Sequence, residues 1–232
     1  MCLIPARGGS RRIPKKNVKK FKGTPAIGLT IKVVESTRLF DTIFVSTDDK
    51  EIAEISEAYG ANVPWLRSPE LSDDFTDTDT VLFHETKQIM QTIGKFDQAC
   101  CVYPVNLFLT KELIIEGLNL LEKSNALSSF PVVEFGFPIQ QAFQLSQGCP
   151  VFKDVNELKA RSQDLTPFYH DTGMFYWYVI DRFMKQPKLF GDDCVAFPVD
   201  PMFCQDINTE YDWHLAELKI KLAEELKKNE AR

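Results

Sequence analysis

The chain opens with the stretch MCLIPARGGSRRIPKKN, residues 1–17. Its first residues, Met1–Pro5, form a short apolar run that is typical of a buried β-strand. Arg7–Ser10 contains two glycines and predicts a turn directly after that strand. Ala26–Arg38 then has the apolar spacing of a helix, and the β-branched run Thr42–Thr47 (TIFVST) predicts a second strand. The start of the chain therefore predicts a β–α–β unit.

The same alternation continues as far as Phe130 and returns near the end of the chain. Further helices are predicted at Lys50–Tyr59, which Gly60 ends, at Thr78–Ile93, at Thr110–Ser124 and, capped by Thr209 with Asp212, at Thr209–Lys228. Further strands are predicted at Asn62–Leu66, Ala99–Tyr103, Met174–Ile180 and Ala196–Val199. Strands that alternate with helices form parallel sheets covered on both faces. We therefore predict an α/β fold with a doubly wound, mostly parallel sheet in a single domain, residues 1–232.

The alternation stops between about residues 130 and 170. Phe130–Pro138 and Gln141–Leu145 have the pattern of strands, yet no helix follows them. Phe135, Phe137 and Phe143 add apolar surface to this segment. Apolar surface outside a core usually has a partner. We therefore interpret residues 130–170 as a β-rich insertion that forms a homodimerisation arm.

The composition is that of an ordinary globular protein, with 232 residues of which 44% are hydrophobic and 26% charged. No apolar run approaches the ~20 residues that are needed to cross a bilayer. The first residues contain no basic leader, and the six cysteines show no Cys-x-x-Cys spacing. We expect a cytoplasmic protein with reduced cysteines, without a membrane partner, a zinc site or a disulfide framework.

The charge is distributed unevenly along the chain. The net charge of −6 argues against a nucleic-acid partner. Residues 7–22 nevertheless contain eight basic side chains and no acidic one. A local cationic patch on an acidic protein predicts a compact anionic ligand. A solvated basic face would produce the same pattern, so charge alone leaves both interpretations open.

The turn after the first strand is the first place to expect a ligand, because α/β sheets bind ligands at the carboxyl ends of their strands. Gly8 and Gly9 allow close approach of the backbone to a phosphate, and Arg7, Arg11 and Lys16 can bind phosphate oxygens. The stretch lacks the spacing of a P-loop and that of a Gly-x-Gly-x-x-Gly dinucleotide motif. A plain turn remains the alternative for a glycine pair alone.

Several further stretches carry a resemblance that spans nearly the whole chain. They are residues 39–41 (LFD), 45–49 (VSTDD), 67–74 (RSPELSDD) and 205–209 (QDINT), together with residues 5–17 after the first strand, which we call the basic loop. In this set the chain resembles the acylneuraminate cytidylyltransferases, which activate nonulosonic acids as CMP-sugars. Residues 99–103 (ACCVY), 161–165 (RSQDL) and 168–173 (FYHDTG) resemble the pseudaminic acid branch of that family.

The resemblance implies a Rossmann-like nucleotidyltransferase fold and a Mg²⁺-dependent reaction. CTP and a free nonulosonic acid would give a CMP-sugar and pyrophosphate. The anomeric hydroxyl would attack the α-phosphorus directly, without a covalent enzyme intermediate. The resemblance also implies a homodimer in which the segment at 130–170 reaches the partner's site.

The resemblance further assigns roles to individual residues. Nucleotide binding is expected at Ala6, Arg7, Gly8, Gly9, Ser10, Arg11, Lys16, Asn17, Arg67 and Thr78, the last two beside the cytosine. The sugar is expected at Gln163, Tyr169, His170 and Asp171. Mg²⁺ is expected at Asp206 and Asn208, and catalysis is expected to depend on Arg7, Lys16 and Asp206.

One position departs from the family pattern. Residue 208 is Asn where the family usually has a second Asp, and an amide offers one oxygen and no charge. Two alternatives to the pseudaminic acid enzyme follow from the sequence. The same chemistry could act on a sialic, legionaminic or ketodeoxyoctonate-like acid, or the chain could be a nucleotide-sugar binding homologue with impaired catalysis.

Overall fold

The computed structural model describes residues 1–153 and 157–230. Its strands are β1 (Cys2–Pro5), β2 (Lys20–Phe21), β3 (Thr24–Pro25), β4 (Ile43–Ser46), β5 (Gln98–Val102), β6 (Ser128–Glu134), β7 (Phe143–Ser146), β8 (Cys149–Phe152), β9 (Tyr169–Asp171), β10 (Phe175–Val179) and β11 (Cys194–Val199). Its α-helices are α1 (Ala26–Ser36), α2 (Lys50–Ala58), α3 (Thr78–Thr92), α4 (Lys111–Lys123), α5 (Ile180–Phe183) and α6 (Glu210–Glu230).

A central sheet of seven strands has the order β11-β6-β10-β5-β1-β4, with β9 also paired to β6. Strand β1 is parallel to β4 and β5, and β11 is parallel to β6. Strands β9 and β10 run in the opposite direction. The prediction of an α/β fold with a mainly parallel sheet is confirmed.

The two reversed strands form an interrupted antiparallel partner of β6. Asp171 pairs with Val132, and Trp177 pairs with Ser129, so six steps along one strand match three along the other. The extra residues form a bulge that contains Gly173 at a φ of +63°. Neighbouring antiparallel strands can be joined without a crossover helix, which explains why the helix–strand alternation stops here.

The central strands of the sheet divide their side chains between two apolar cores. Ile4 and Cys100 pack into one core, with Ile27 of α1, while Leu3 and Cys101 pack into the other, with Leu82 of α3. Adjacent strand residues point to opposite faces, so the apolar run of a central strand serves both cores. This division confirms the doubly wound arrangement.

Polar caps define where four of the helices begin. Asp49 accepts hydrogen bonds from the first turn of α2, Asp77 from that of α3 and Thr110 from that of α4. Before α6, the backbone N–H of Thr209 donates to Asp212 at 2.7 Å and that of Asp212 donates to the Thr209 hydroxyl at 3.3 Å. The predicted capping pair at the last helix is confirmed.

Two local features differ from the sequence prediction. The predicted strand Asn62–Leu66 is reduced to a single parallel bridge between Phe44 and Asn62. Pro64 lacks an N–H group and cannot extend that ladder. Strands β2 and β3 form a short antiparallel pair that the sequence did not predict, and Lys22 and Gly23 make its turn with positive φ values.

The predicted insertion at 130–170 begins within the central sheet, because its first residues belong to β6. Beyond the sheet, β7 and β8 form a hairpin through Gln147 and Gly148, both at positive φ. The hairpin's side chains are exposed, including Phe143, Leu145 and Val151. Residues 154–156 of the predicted segment lie outside the described residues. No helix of the described chain is long and apolar enough to cross a membrane.

Candidate active site

A cleft of about 730 Å³ lies at the carboxyl ends of β1 and β5. Pro5 ends β1 and Tyr103 follows β5, and both line the cleft. Of the residues predicted for the site, the cleft collects Arg7, Ser10, Arg11, Lys16, Asn17, Arg67, Thr78, Asp171, Asp206 and Asn208. Residues from both ends of the chain therefore meet at one place.

The basic loop faces a carboxylate in this structure. Asp74 forms ion pairs with Arg7 at 2.9 Å and with Arg11 at 2.5 Å. Arg7 also donates a hydrogen bond to the backbone carbonyl of Asp73 at 2.6 Å. Two guanidinium groups on one carboxylate form an arrangement suited to an anion with several oxygens. A phosphate chain that binds here would compete with Asp74.

Lys16 and Asn17 are held more deeply than the arginines. Asn17 is buried and donates from Nδ2 to the backbone carbonyl of Arg7 at 2.9 Å. Lys16 donates from Nζ to the backbone carbonyl of Ile207 at 2.8 Å. Burial lowers the pKa of Lys16, and Asp206 opposes that shift. Asn17 thus supports the loop, and Lys16 connects it to the segment before α6.

The glycine turn has a structural explanation of its own. The N–H of Gly8 donates to Oδ1 of Asp48 at 2.8 Å, and a Cβ at Gly8 would lie 2.8 Å from Asp49. Ala6 is fully buried and donates its N–H to the carbonyl of Ser46. Nucleotide binding is predicted at Ala6, Gly8 and Gly9, but these three residues do not line the cleft. Close packing against the loop after β4 requires a residue without a side chain at position 8.

Arg67 is a buried guanidinium, only 5% exposed. Its Nε donates to the hydroxyl of Ser72 at 3.1 Å, which ties it to its own loop. Burial lowers the pKa of Arg67, and the nearby charges of Asp48 and Glu85 oppose that shift. Glu85 is also buried and accepts a hydrogen bond from Trp65. A buried cation beside a cleft is suited to fixed contacts with a polar ligand.

The opposite wall contains a hydroxyl pair. Thr78 and Tyr103 share a hydrogen bond of 2.8 Å between their hydroxyl groups. Burial raises the pKa of Tyr103, so its hydroxyl stays protonated. Thr78 begins α3, which holds it directly after the capping residue Asp77. Together with Arg67, this pair gives one end of the cleft several hydrogen-bonding groups.

Asp206 and Asn208 lie side by side on the segment before α6. Asn208 donates from Nδ2 to Oδ2 of Asp206 and accepts at Oδ1 from Arg12 at 2.6 Å. Among the described residues, no group of three or more His, Cys, Asp and Glu side chains could hold a metal ion. Mg²⁺ commonly binds one or two carboxylates together with substrate phosphates and water. Asp206 fits Mg²⁺ in that shared form.

A second cavity, of about 380 Å³, adjoins the cleft. His170, Asp171 and Asp206 are among its lining residues. The ring of His170 packs on Phe135, and its Nδ1 lies 2.8 Å from the carbonyl oxygen of Asp171. Of the residues predicted for sugar binding, Gln163 and Tyr169 line neither cavity.

Several cleft residues were missed by the sequence prediction. Arg12, Asp73 and Tyr103 line the cleft, as does Asp77. Arg12 belongs to the basic run, and its position next to Arg11 was a usable signal. Tyr103 ends a buried strand, and the rule that ligands bind at carboxyl ends of strands could have identified it. Asp73 contributes through its backbone, which no residue pattern indicates.

The fold and the cleft define an α/β protein with a cleft, lined by basic side chains, at the carboxyl ends of its strands. Residues 1–191 match the sequence model of the family described as Cytidylyltransferase, and the chain belongs to this family. The chain is 34% identical over 227 residues to the pseudaminic acid cytidylyltransferase of Campylobacter jejuni, with 97% of each chain covered.

Other relatives differ in the sugar that their names give. The chain is 28% identical to the CMP-N,N'-diacetyllegionaminic acid synthase of Legionella pneumophila, again with 97% of each covered. A solved structure of CMP:2-keto-3-deoxy-manno-octonic acid synthetase complexed with CTP matches with a TM-score of 0.67. The two structures share 15% identity over 97% of this chain and 98% of the other, so the match concerns the fold.

Proposed function

We propose that this chain transfers CMP from CTP to the anomeric hydroxyl of a nonulosonic acid, of the pseudaminic acid type, and releases pyrophosphate. The observation that carries the proposal is the pair of connected cavities with the basic loop at one of them. The relatives named above support the choice of CTP and sugar acid. The proposal rests equally on the membership of the cytidylyltransferase family.

The triphosphate binds at the basic loop in this proposal. Arg7 and Arg11 already converge on the carboxylate of Asp74, and triphosphate oxygens replace that carboxylate. Lys16 lies between this loop and the segment before α6, where it contacts oxygens near the α-phosphate. Cations fixed in this way stabilise the charge that develops on departing pyrophosphate.

The cytosine binds at the other end of the cleft, between Arg67 and Thr78. Arg67 is buried and its Nε is bonded to Ser72, so its guanidinium group has a defined direction. Thr78 and Tyr103 present hydroxyl groups on the facing wall. Hydrogen bonds from fixed groups discriminate strongly between ligands, since a wrong partner leaves buried polar atoms unpaired.

Mg²⁺ is the proposed metal, and Asp206 with the Oδ1 atom of Asn208 would hold it together with phosphate oxygens. The support for this assignment is the chemistry of these two ligands, a carboxylate and an amide oxygen, and the Asn208 amide would turn its Oδ1 atom from Arg12 to the metal. When bound, Mg²⁺ would neutralise negative charge on the phosphate oxygens. The chain's own contribution is to orient the oxygens on either side of the α-phosphorus.

The sugar acid occupies the second cavity in this proposal. The cavity is polar, with His170, Gln205 and Lys219 among the residues that line it. Lys219 is anchored to the backbone carbonyls of Pro201 and Cys204 at 3.0 and 2.7 Å. A fixed ammonium group is suited to the carboxylate of a nonulosonic acid. The anomeric carbon then faces the cleft.

We also propose that two copies of the chain associate through the β7–β8 hairpin. The support is the exposure of apolar side chains on both of its strands, with Leu145 at 72% and Val151 at 54%. Exposed apolar patches usually mark an interaction surface. A cytoplasmic location is proposed as well, and the six free cysteines support a reducing environment.

A second candidate is a homologue that binds CTP with little turnover, and Asn208 is the observation that favours it. One experiment separates the two. The protein is incubated with CTP, Mg²⁺ and purified pseudaminic, legionaminic, sialic or ketodeoxyoctonic acid, and pyrophosphate release is followed. Release with one of these acids supports the transferase. CTP binding without release from any of them supports the second candidate.

A further inference from the structure

The two cavities meet at two carboxylates. Asp171 and Asp206 line both the cleft and the second cavity. If CTP lies in the cleft and the sugar acid in the second cavity, the reacting atoms lie at this junction. The following inference rests on the proposed function in that respect.

Asp171 is held at the junction by two features of the fold. It ends β9 directly before the bulge at residues 172–174, and it pairs there with Val132 of β6. One carboxylate oxygen, Oδ2, accepts a hydrogen bond from the hydroxyl of Tyr176. Tyr176 is fully buried among aromatic rings, with Tyr103 and Phe130 against it. The side chain of Asp171 therefore has one orientation.

The other oxygen of Asp171 is unusual. Its Oδ1 atom is buried and has no hydrogen-bond partner among the described residues. A buried carboxylate oxygen without a partner costs free energy, unless a ligand supplies a hydrogen bond. Asp171 lines both cavities through its other atoms, so a ligand in either cavity contacts this residue.

The neighbouring carboxylates of the cleft are committed elsewhere. Asp73 accepts hydrogen bonds from Thr76 and Asp77 caps α3. Asp74, which the triphosphate would displace from Arg7 and Arg11, does not line the second cavity. Asp206 is bound by Asn208 and is the proposed metal ligand. Asp171 is thus the junction carboxylate with an oxygen left for a proton.

Burial raises the pKa of Tyr176 well above its usual value. The phenol therefore remains protonated and donates to Oδ2 throughout the neutral range. This bond holds the carboxylate in place at the junction of the two cavities. His170 is a weaker candidate for the same role, since it lines only the second cavity.

We propose that Asp171 is the general base of the reaction. The anomeric oxygen forms a bond to the α-phosphorus while its O–H bond breaks, and the proton moves to the carboxylate of Asp171. The bond between the α-phosphorus and the bridging oxygen breaks, and its electron pair leaves with pyrophosphate. Solvent removes the proton from Asp171 once the CMP-sugar departs. Tyr176 is the positioning residue of this base.

The test compares Asp171→Asn with Asp181→Asn. The control removes one carboxylate in α5, just beyond the end of β10 that lies away from Asp171. General bases contribute about 10²–10⁴-fold, so we expect kcat of Asp171→Asn to fall by at least about 100-fold. The Kd for CTP and the Mg²⁺ concentration for half-maximal binding of CTP, both measured without sugar, should stay unchanged. The control should equal the wild type in all three measurements.

Three results would overturn the assignment. One is a kcat of Asp171→Asn within about threefold of the wild type. Another is a loss of Mg²⁺ or CTP binding that accounts for the lost rate, because Asp171 would then be a ligand. The third is wild-type protein that releases no pyrophosphate with any tested sugar acid, which overturns the proposed function as well.

A second variant covers the case in which Asp171→Asn does not fold, as judged by its Tm. Tyr176→Phe keeps the carboxylate and removes the hydrogen bond that orients it. We expect a lower kcat with an unchanged Kd for CTP and an unchanged KM for CTP. A kcat equal to that of the wild type would contradict the proposed positioning and the assignment with it.

Discussion

The guanidinium of Arg12 donates a hydrogen bond of 2.6 Å to the Oδ1 atom of Asn208, across 196 residues of sequence. The amide of Asn208 simultaneously donates to Asp206. The amide nitrogen of Asn208 therefore gives Asp206 a hydrogen bond. A carboxylate at position 208 would instead repel Asp206 unless a cation lay between the two groups. The departure at position 208 is thus compensated within the free protein.

Replacement of Asn208 by Asp should make the protein bind Mg²⁺ more tightly in the presence of CTP. Two adjacent carboxylates repel each other, and Mg²⁺ would relieve that repulsion while gaining a charged ligand. We expect the Mg²⁺ concentration for half-maximal CTP binding to fall by about tenfold, which corresponds to about 1.4 kcal/mol. Calorimetry with CTP at varied Mg²⁺ measures this effect. Asp212→Asn is not a suitable control because Asp212 caps α6, so Asp181→Asn is used. An unchanged Mg²⁺ requirement would contradict the metal assignment.

Arg7→Ala should weaken the binding of CTP much more than that of cytidine. A hydrogen bond to a charged group is worth about 1.5–3 kcal/mol, so the Kd for CTP should rise by about 10–100-fold. Calorimetry with CTP and cytidine separates the phosphate contribution. Lys95→Ala is the matched control, because Lys95 is exposed just before β5, at the end of the sheet remote from the cleft. Equal losses for both ligands would place the effect outside the phosphate site.

The β7–β8 hairpin predicts the oligomeric state. The double change Leu145→Ser and Val151→Ser removes two exposed apolar side chains without touching the core. We expect the wild type to sediment as a dimer at micromolar concentration and the double variant as a monomer. Leu226→Ser is the control, since Leu226 is 50% exposed on α6. A wild type that sediments as a monomer would count against the arm.

The buried Glu85 predicts a pH dependence of stability. Burial raises the pKa of Glu85 above the ordinary value of 4.5. The unfolded chain therefore releases this proton at a lower pH than the folded chain does. The wild type should lose free energy of unfolding relative to Glu85→Gln as pH rises from about 4.5 through the higher folded pKa, by about 1.4 kcal/mol for each unit between the two values.

Urea unfolding of the wild type and of Glu85→Gln measures this difference between about pH 4.5 and pH 8. The lower limit of this pH range is the ordinary pKa of Glu, 4.5. Glu57→Gln on the exposed face of α2 is the control, and its difference from the wild type should not follow the same trend. A constant difference between wild type and Glu85→Gln would show that burial does not shift the titration of Glu85.

Gly117 marks a close contact between α4 and the central sheet. A Cβ at this position would lie 2.7 Å from the ring of Phe175 and 3.1 Å from that of Trp177. Gly117→Ala should reduce the free energy of unfolding by about 1–3 kcal/mol, since both rings are buried. Thermal unfolding measures the change. Gly94→Ala, where a Cβ meets nothing within 4 Å, should leave the Tm nearly unchanged. Equal Tm values for both variants would contradict the packing.

Local signals predicted much of the fold. The apolar run of β1, the capping pair at Thr209 and the helix that Gly60 ends depend on neighbours in sequence, and each lies where it was predicted. The interrupted strand β9–β10 was not predicted as a partner of β6, because its pairing crosses the long excursion between them. The pairing register of two strands so far apart in sequence cannot be read from the residue pattern of either strand.

The candidate site shows the same division. Arg7, Arg11 and Lys16 of the basic loop could be named from the sequence, and Arg67 and Asp206 from the family resemblance; all five line the cleft. The ion pairs of Asp74 with Arg7 and Arg11 join residues more than sixty positions apart, so no local pattern indicated them. The orientation of Asp171 likewise depends on Tyr176 across a bulge.

The link between the basic loop and the segment before α6 has a consequence for biosynthesis. Arg12 bonds to Asn208 and Lys16 to Ile207, 196 and 191 residues later in the sequence. A ribosome-bound chain therefore exposes its basic loop without those partners while the intervening residues are synthesised. The cleft can bind nucleotide with all of these contacts in place only after the segment before α6 has left the ribosome.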